Sequence, residues 1–77
     1  MARHRIYRCI VKAVRGGSLI EPFTENDFRR VCPSFAEGTY RSFLHKHAVR
    51  NAGGNSELFV RVHPGQFKLV RPFKYGI

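Results

Sequence analysis

The sequence predicts a mainly helical α+β fold: three helices followed by a C-terminal β-hairpin. Three observations carry that expectation. Apolar residues recur at helical spacing over residues 5–15. Two helix starts follow one another, at Thr24 and at Ser34. Residues 58–70 then alternate β-branched and aromatic side chains around a Pro-Gly pair, as a hairpin does.

The first helix is expected over residues 5–15, where Ile6, Cys9, Ile10 and Ala13 form an apolar stripe with Tyr7 and Val14 at its margin. At about 100° per residue, Arg5, Arg8, Lys12 and Arg15 fall in one arc on the other side. Gly16-Gly17 ends the helix, as glycine does just past a helix terminus. Residues 18–23 read as an extended linker or a short strand, because Pro22 does not fit a helix interior. Thr24 can cap the second helix, with Asp27 where a capping-box acid belongs and Phe23 and Phe28 at the staple positions. Glu25 and Asp27 also suit the positive end of the helix dipole. Pro33 limits this helix to about Cys32. Its core contacts are Phe28 and Val31, while Arg29 and Arg30 point out.

Ser34 and Glu37 form a second capping box, which starts a third helix over residues 35–49. Tyr40, Phe43, Leu44 and His47 mark its buried face. Gly38, Arg41, Ser42, His45 and Lys46 lie opposite. Residues 50–56, with Asn51, Gly53, Gly54 and Asn55, read as a loop. A strand over 58–63, a turn at His63-Pro64-Gly65-Gln66 and a return over 66–70 complete a hairpin spanning 57–70. Simple alternation puts Leu58, Val60, Val62, Phe67 and Leu69 on one face and sends Arg61 and Lys68 to the other. The basic, aromatic tail 71–77 has no assignment from its own pattern.

Composition bounds the function. The 77 residues make one domain, which buries only about 60% of its unfolded surface. With 43% hydrophobic residues, among them seven Phe and three Tyr, global disorder is excluded. So is a large walled catalytic cleft, which needs roughly 300 Å³ or more. Fourteen Lys and Arg face five Asp and Glu, for a net charge of +9. That exceeds the ordinary magnitude of about 2–8 for a small domain. Both ends of the chain are acid-free, since Glu21, Glu25, Asp27, Glu37 and Glu57 all lie between them. Such a field attracts polyanions, nucleic acid foremost.

The order of helix, linker, capped short helix, capped helix, Gly-rich loop and hairpin resembles a winged helix-turn-helix domain over residues 4–70. The most specific stretch runs from Phe23-Thr24-Glu25-Asn26-Asp27-Phe28 to Gly38-Thr39-Tyr40-Arg41-Ser42-Phe43-Leu44. The resemblance implies duplex DNA binding with a probing helix at 35–49 in the major groove and the hairpin 57–70 on the backbone or minor groove. Arg41 is then the first candidate for a base, because Arg pairs bidentately with guanine. Ser42 and His45 would read a base or phosphate, and Lys46 a phosphate. Arg61, His63, Gln66 and Lys68 would be the wing contacts, and Arg5 and Arg8 would reach the flanking backbone. A role in transcription regulation follows from the same resemblance. A homodimer or a larger complex stays open, with no dimerisation element in the sequence.

Other chemistries find less support. Cys9 and Cys32 are too far apart for a zinc-finger pair. His45 and His47 leave one helix in different directions, so no metal site is expected. No phosphate loop or nucleophile motif is present. No catalytic residue, metal or cofactor is therefore expected, and a Cys32–His47 couple would lack an orienting third group. RNA binding is the main alternative, should Phe59, Phe73 and Tyr75 be exposed for stacking. A protein-interaction module is another. Two separated cysteines make no disulfide framework, so each is expected as a free, buried thiol. Reduced thiols, no signal-peptide pattern and no membrane span together lead to an expected cytoplasmic location, on the nucleoid if prokaryotic.

Overall fold

Helix α1 covers Ala2–Arg15, α2 Glu25–Val31 and α3 Glu37–Lys46, followed by strands β1 Phe59–His63 and β2 Gln66–Leu69. The computed structural model describes residues 2–50 and 53–75, with side chains from Arg5 onward. Asn51 of the expected loop, the last two tail positions 76–77, and the Arg3 side chain of the basic N-terminus lie outside the described residues.

The helix expected from residue 5 begins at Ala2. It buries Tyr7, Ile10 and Val11 completely. Its end follows the glycine pair, with Gly17 at φ 84° and the Ala13 carbonyl accepting the N–H of both Ser18 (2.9 Å) and Leu19 (3.1 Å). The extended linker becomes strand-like at Phe23, whose N–H and C=O both bond Phe67 at 2.8 Å. An isolated antiparallel bridge thus ties Phe23 to β2. The capping box of α2 forms as expected: Thr24 Oγ1 accepts the Asp27 N–H at 3.2 Å, and Asp27 Oδ2 accepts the Thr24 N–H at 3.0 Å. Phe23 and Phe28 on either side of it are fully buried.

The second capping box does not form. Helix α3 begins at Glu37 behind Ala36, with no side-chain cap. Tertiary partners hold the turn instead. The buried Tyr40 hydroxyl donates to the Cys32 carbonyl and accepts the Phe35 N–H at 3.1 Å. The Glu37 carboxylate reaches across to Arg29 of α2. The far end also differs, because α3 stops at Lys46 rather than near Val49. The His47 carbonyl accepts from Leu58 N–H at 2.8 Å, and Val49 N–H donates to Phe59 O at 2.8 Å. Residues 47–49 therefore leave the helix to run beside β1.

The hairpin register bears out the expected alternation in β2, where Phe67 and Leu69 are buried and Lys68 is exposed, and overturns it in β1. Phe59 pairs with Leu69, Val60 with Lys68 and Arg61 with Phe67, with an irregularity before His63↔Gln66. Directly paired residues share a face. Phe59, Arg61, Phe67 and Leu69 therefore lie on the inner face, and Val60 and Lys68 on the outer one. Val62, expected in the core, is 36% exposed. The physical cause is Phe59: its ring packs edge-on against Phe23 (6.2 Å) and Phe43 (5.8 Å). Burying that ring outweighs burying two valines, and a one-residue slip exchanges the faces of a whole strand. The turn itself is as expected, with Gly65 at φ 74°.

The cysteines are a second correction. Cys9 and Cys32 are not free thiols; they form a disulfide that ties α1 to α2 across a separation of 23 residues. The cytoplasmic placement drawn from reduced thiols loses that support. No helix among the described residues is long and apolar enough to cross a membrane.

The unassigned tail packs against α1. Lys74 N–H donates to the Tyr7 hydroxyl at 2.8 Å, and Tyr75 meets the Tyr7 ring edge-on at 5.5 Å. Burial raises the Tyr7 pKa above its ordinary value, with the Lys74 N–H opposing. Phe73 carries the guanidinium groups of Arg15 and Arg71 at 4.9 and 5.0 Å from its centroid. Among the described residues the architecture is three helices with a C-terminal antiparallel hairpin, compatible with a winged-helix topology.

Candidate nucleic-acid interface

Helix α3 turns Tyr40, Phe43, Leu44 and His47 into the core, as its periodicity requires. Arg41, Ser42, His45 and Lys46 are consequently on the exposed side, as expected. They are not equivalent. Ser42 Oγ donates to the Gly38 carbonyl at 2.8 Å, so its hydroxyl is partly occupied by the helix. His45 meets Phe67 edge-on at 5.3 Å and leans toward β2 of the hairpin. Arg41 and Lys46 form no ion pair among the described residues.

The corrected register redistributes the wing residues. Arg61 lies across from Phe67 on the inner face, the face that carries His45 and α3. It therefore joins the α3 side chains instead of standing away from them. Lys68 stays on the outer face, as expected, where a shallow depression is lined by Glu21, Val60, Lys68 and Arg71. His63 is exposed at the tip and Gln66, its partner, is half-buried. Arg5 stands 5.9 Å over the Phe35 ring, beside the turn that leads into α3. Arg8 is exposed further along α1 and is not brought to α3. Sequence reasoning missed a groove of about 320 Å³ between α1 and α3, lined by Ile6, Thr39, Ser42 and Lys46 among others. Only the contact between the two helices reveals it.

The acids are engaged elsewhere. Glu25 and Glu37 share Arg29, Asp27 pairs with Arg30, and Glu21 with Arg71. Glu57 accepts the Arg50 backbone N–H at 3.3 Å. Arg41, Lys46 and Arg61 thus enter no ion pair among the described residues. The stacking platform required by the RNA alternative is reduced to Tyr75, which is exposed, because Phe59 is fully buried and Phe73 is covered by two guanidinium groups. Cys32, already bonded to Cys9, offers His47 no thiol to activate, and His47 Nδ1 bonds the Ser56 carbonyl at 2.8 Å.

Glu21 holds the outer face together. Arg71 donates to its two oxygens at 2.8 and 2.6 Å, and the Leu69 N–H at 2.7 Å. The Arg71 hydrogen bonds hold the carboxyl below its ordinary pKa, aided by the Leu69 N–H and the Lys68 charge and opposed by burial. A carboxylate depressed in the folded state stabilises above its unfolded pKa, and that contribution is lost as pH falls through the folded value. Glu21→Gln is thus expected to be less stable than the natural chain at neutral pH, with the gap closing below about pH 4. Urea midpoints from pH 7 to 2.5 would show it. A gap that stayed constant would mean that this carboxylate contributes nothing through its charge.

Compared with known proteins, the chain matches no family model, no curated protein and no solved structure. Its class rests on its own fold: a small, mainly helical α+β domain whose hairpin packs on the second helix of a helix-turn-helix pair.

Proposed function

We propose that this chain binds duplex DNA, with the exposed face of α3 in the major groove and the hairpin against the adjoining backbone or minor groove. The observation that supports this reading is that Arg41, Lys46 and Arg61, on α3 and the adjoining β1, are exposed and enter no ion pair among the described residues, in a chain of net charge +9. A helix of this width fits a major groove, and exposed Arg and His side chains can hydrogen-bond base edges there. Arg41 reads a base, Lys46 binds a phosphate, and Arg61 follows the strand from the inner hairpin face. The tip residues His63 and Gln66 reach the minor groove edge, while Arg5 extends the footprint past the turn. The role is regulatory, through occupation of DNA.

Anisotropy titration of a labelled duplex at about 50 and 200 mM salt tests this, since affinity led by phosphate contacts falls steeply between those conditions. Arg41→Ala is expected to cost about 1–3 kcal/mol of binding and to relax preference at one base position. Arg61→Ala should weaken binding to all duplexes alike, and more than Lys68→Ala, because Lys68 faces Glu21 on the outer side. No duplex binding at the lower salt, or equal affinity after Arg41→Ala and Arg61→Ala, overturns the reading.

A further inference from the structure

A second acid-free basic face lies on the opposite side of α1. Ile6 is the α1 residue that lines the groove with Thr39, Ser42 and Lys46 of α3. At about 100° per residue, Arg8 and Arg15 stand about 160° and 180° from Ile6 around the helix. They therefore point away from α3, along one line two turns long. The tail completes this face. The Lys74 N–H bond to Tyr7, the Tyr75–Tyr7 ring contact and the Arg15 and Arg71 guanidinium groups on Phe73 lay residues 73–75 beside α1. Glu21 is taken up by Arg71 of the same tail. Arg8, Lys12, Arg15 and Lys74 are all exposed, and none forms an ion pair among the described residues.

From this arrangement we infer that the α1–tail face is a second phosphate-binding surface, so that one molecule holds two DNA duplexes, one on each side. The bridging rests on the α3 reading for its first duplex. Two physical features favour a phosphate backbone as the occupant. The cations follow a helix line, which suits a linear array of phosphates, and two of them, Lys12 and Lys74, are ammonium point charges that meet phosphate without demanding a fixed geometry. Arg15 is also held by Phe73 before any ligand arrives, so less side-chain freedom is lost on binding. The tail is what makes the face two-sided: without its anchoring to Tyr7, Lys74 would not stand beside α1.

The test uses the full chain and two copies of one duplex. One copy is fixed to beads and loaded with protein, and a fluorescent copy is then offered at low salt. The comparison variant is Arg8→Gln/Lys12→Gln/Lys74→Gln, which leaves the Arg15–Phe73 packing intact. Protein-dependent capture of the second duplex is expected from the natural chain. In the triple variant it should fall by at least about tenfold, while single-duplex affinity by anisotropy changes by less than about threefold. Circular dichroism melts of both proteins show whether the variant is folded. One-duplex binding without capture by the natural chain overturns the second surface and leaves the α3 reading standing. Capture retained by the variant overturns it too, and assigns bridging to another face or to a dimer. Equal loss of both steps makes α1 the only site and overturns the two-sided arrangement. Absence of any duplex binding overturns both readings.

Discussion

Phe59→Ala is expected to destabilise the fold by about 3–5 kcal/mol, the usual cost of truncating a fully buried Phe. Marginal stability of about 5–15 kcal/mol makes this a large fraction of the total. The ring has no exposed surface and meets Phe23 and Phe43, so it joins the linker at Phe23, α3 and β1 in one cluster. Removing it leaves a cavity at the junction that seats the hairpin on α3. Val62→Ala, by contrast, alters a side chain already 36% exposed and should change stability by about 0.5 kcal/mol or less. Urea denaturation of the two variants decides the register. The reverse order, with Val62→Ala the costlier, would restore simple alternation and return Arg61 to the outer face. The functional consequence is direct, because the Phe59 register is what turns Arg61 toward α3.

This contrast also explains what could be read without coordinates. Helix α2 was legible because its signals are local: Thr24 and Asp27 satisfy each other within one turn. The same kind of signal misled at Ser34 and Glu37. There the competing partners come from other elements, Tyr40 for the turn and Arg29 for the carboxylate. A capping box is a local preference worth about 1 kcal/mol, and a buried tyrosine bridging two backbone groups can override it. The exposed face of α3 followed from periodicity, since four buried residues on one arc define the opposite arc. The position of Arg61 did not follow, because Leu58, Phe59, Val60 and Val62 offer apolar side chains to both faces of the strand. Alternation cannot choose between two such sets; ring packing does. The tail was illegible for a different reason. Its partners are 50 residues away at Glu21 and 67 away at Tyr7. No local pattern reports such pairings, and the second basic face depends on them.

The charge pattern carried more functional content than any motif. Acids confined between Glu21 and Glu57 are, in the fold, committed to Arg29, Arg30, Arg71 and the Arg50 backbone. The cations near the chain ends have no acid of their own segment to meet. Folding therefore concentrates positive charge on α1, α3 and the hairpin rather than neutralising it. This is the arrangement expected of a surface that meets a polyanion, and it makes salt dependence the first property to measure.

Reduction of the Cys9–Cys32 disulfide is expected to lower stability by about 3 kcal/mol, from the loop-closure entropy of its separation. For a domain of this length that corresponds to a fall in melting temperature of roughly 10–25 °C. The cross-link matters here because α1 and α2 are otherwise joined only through the linker 16–24 and a modest core. Thermal melts with and without excess reductant measure the effect, and Cys9→Ala/Cys32→Ala should melt low under both conditions. If the natural chain melts at the same temperature in both, with two titratable thiols before reduction, the bond is not formed in solution and the free-thiol expectation returns. Duplex binding supplies the second half of the comparison. Neither sulfur lies on α3 or the hairpin, so oxidised and reduced protein should bind DNA equally well below the reduced melting temperature. A protein that loses stability but not affinity on reduction uses the cystine to hold its scaffold, and the proposed DNA-binding face is then competent in reducing and oxidising surroundings alike.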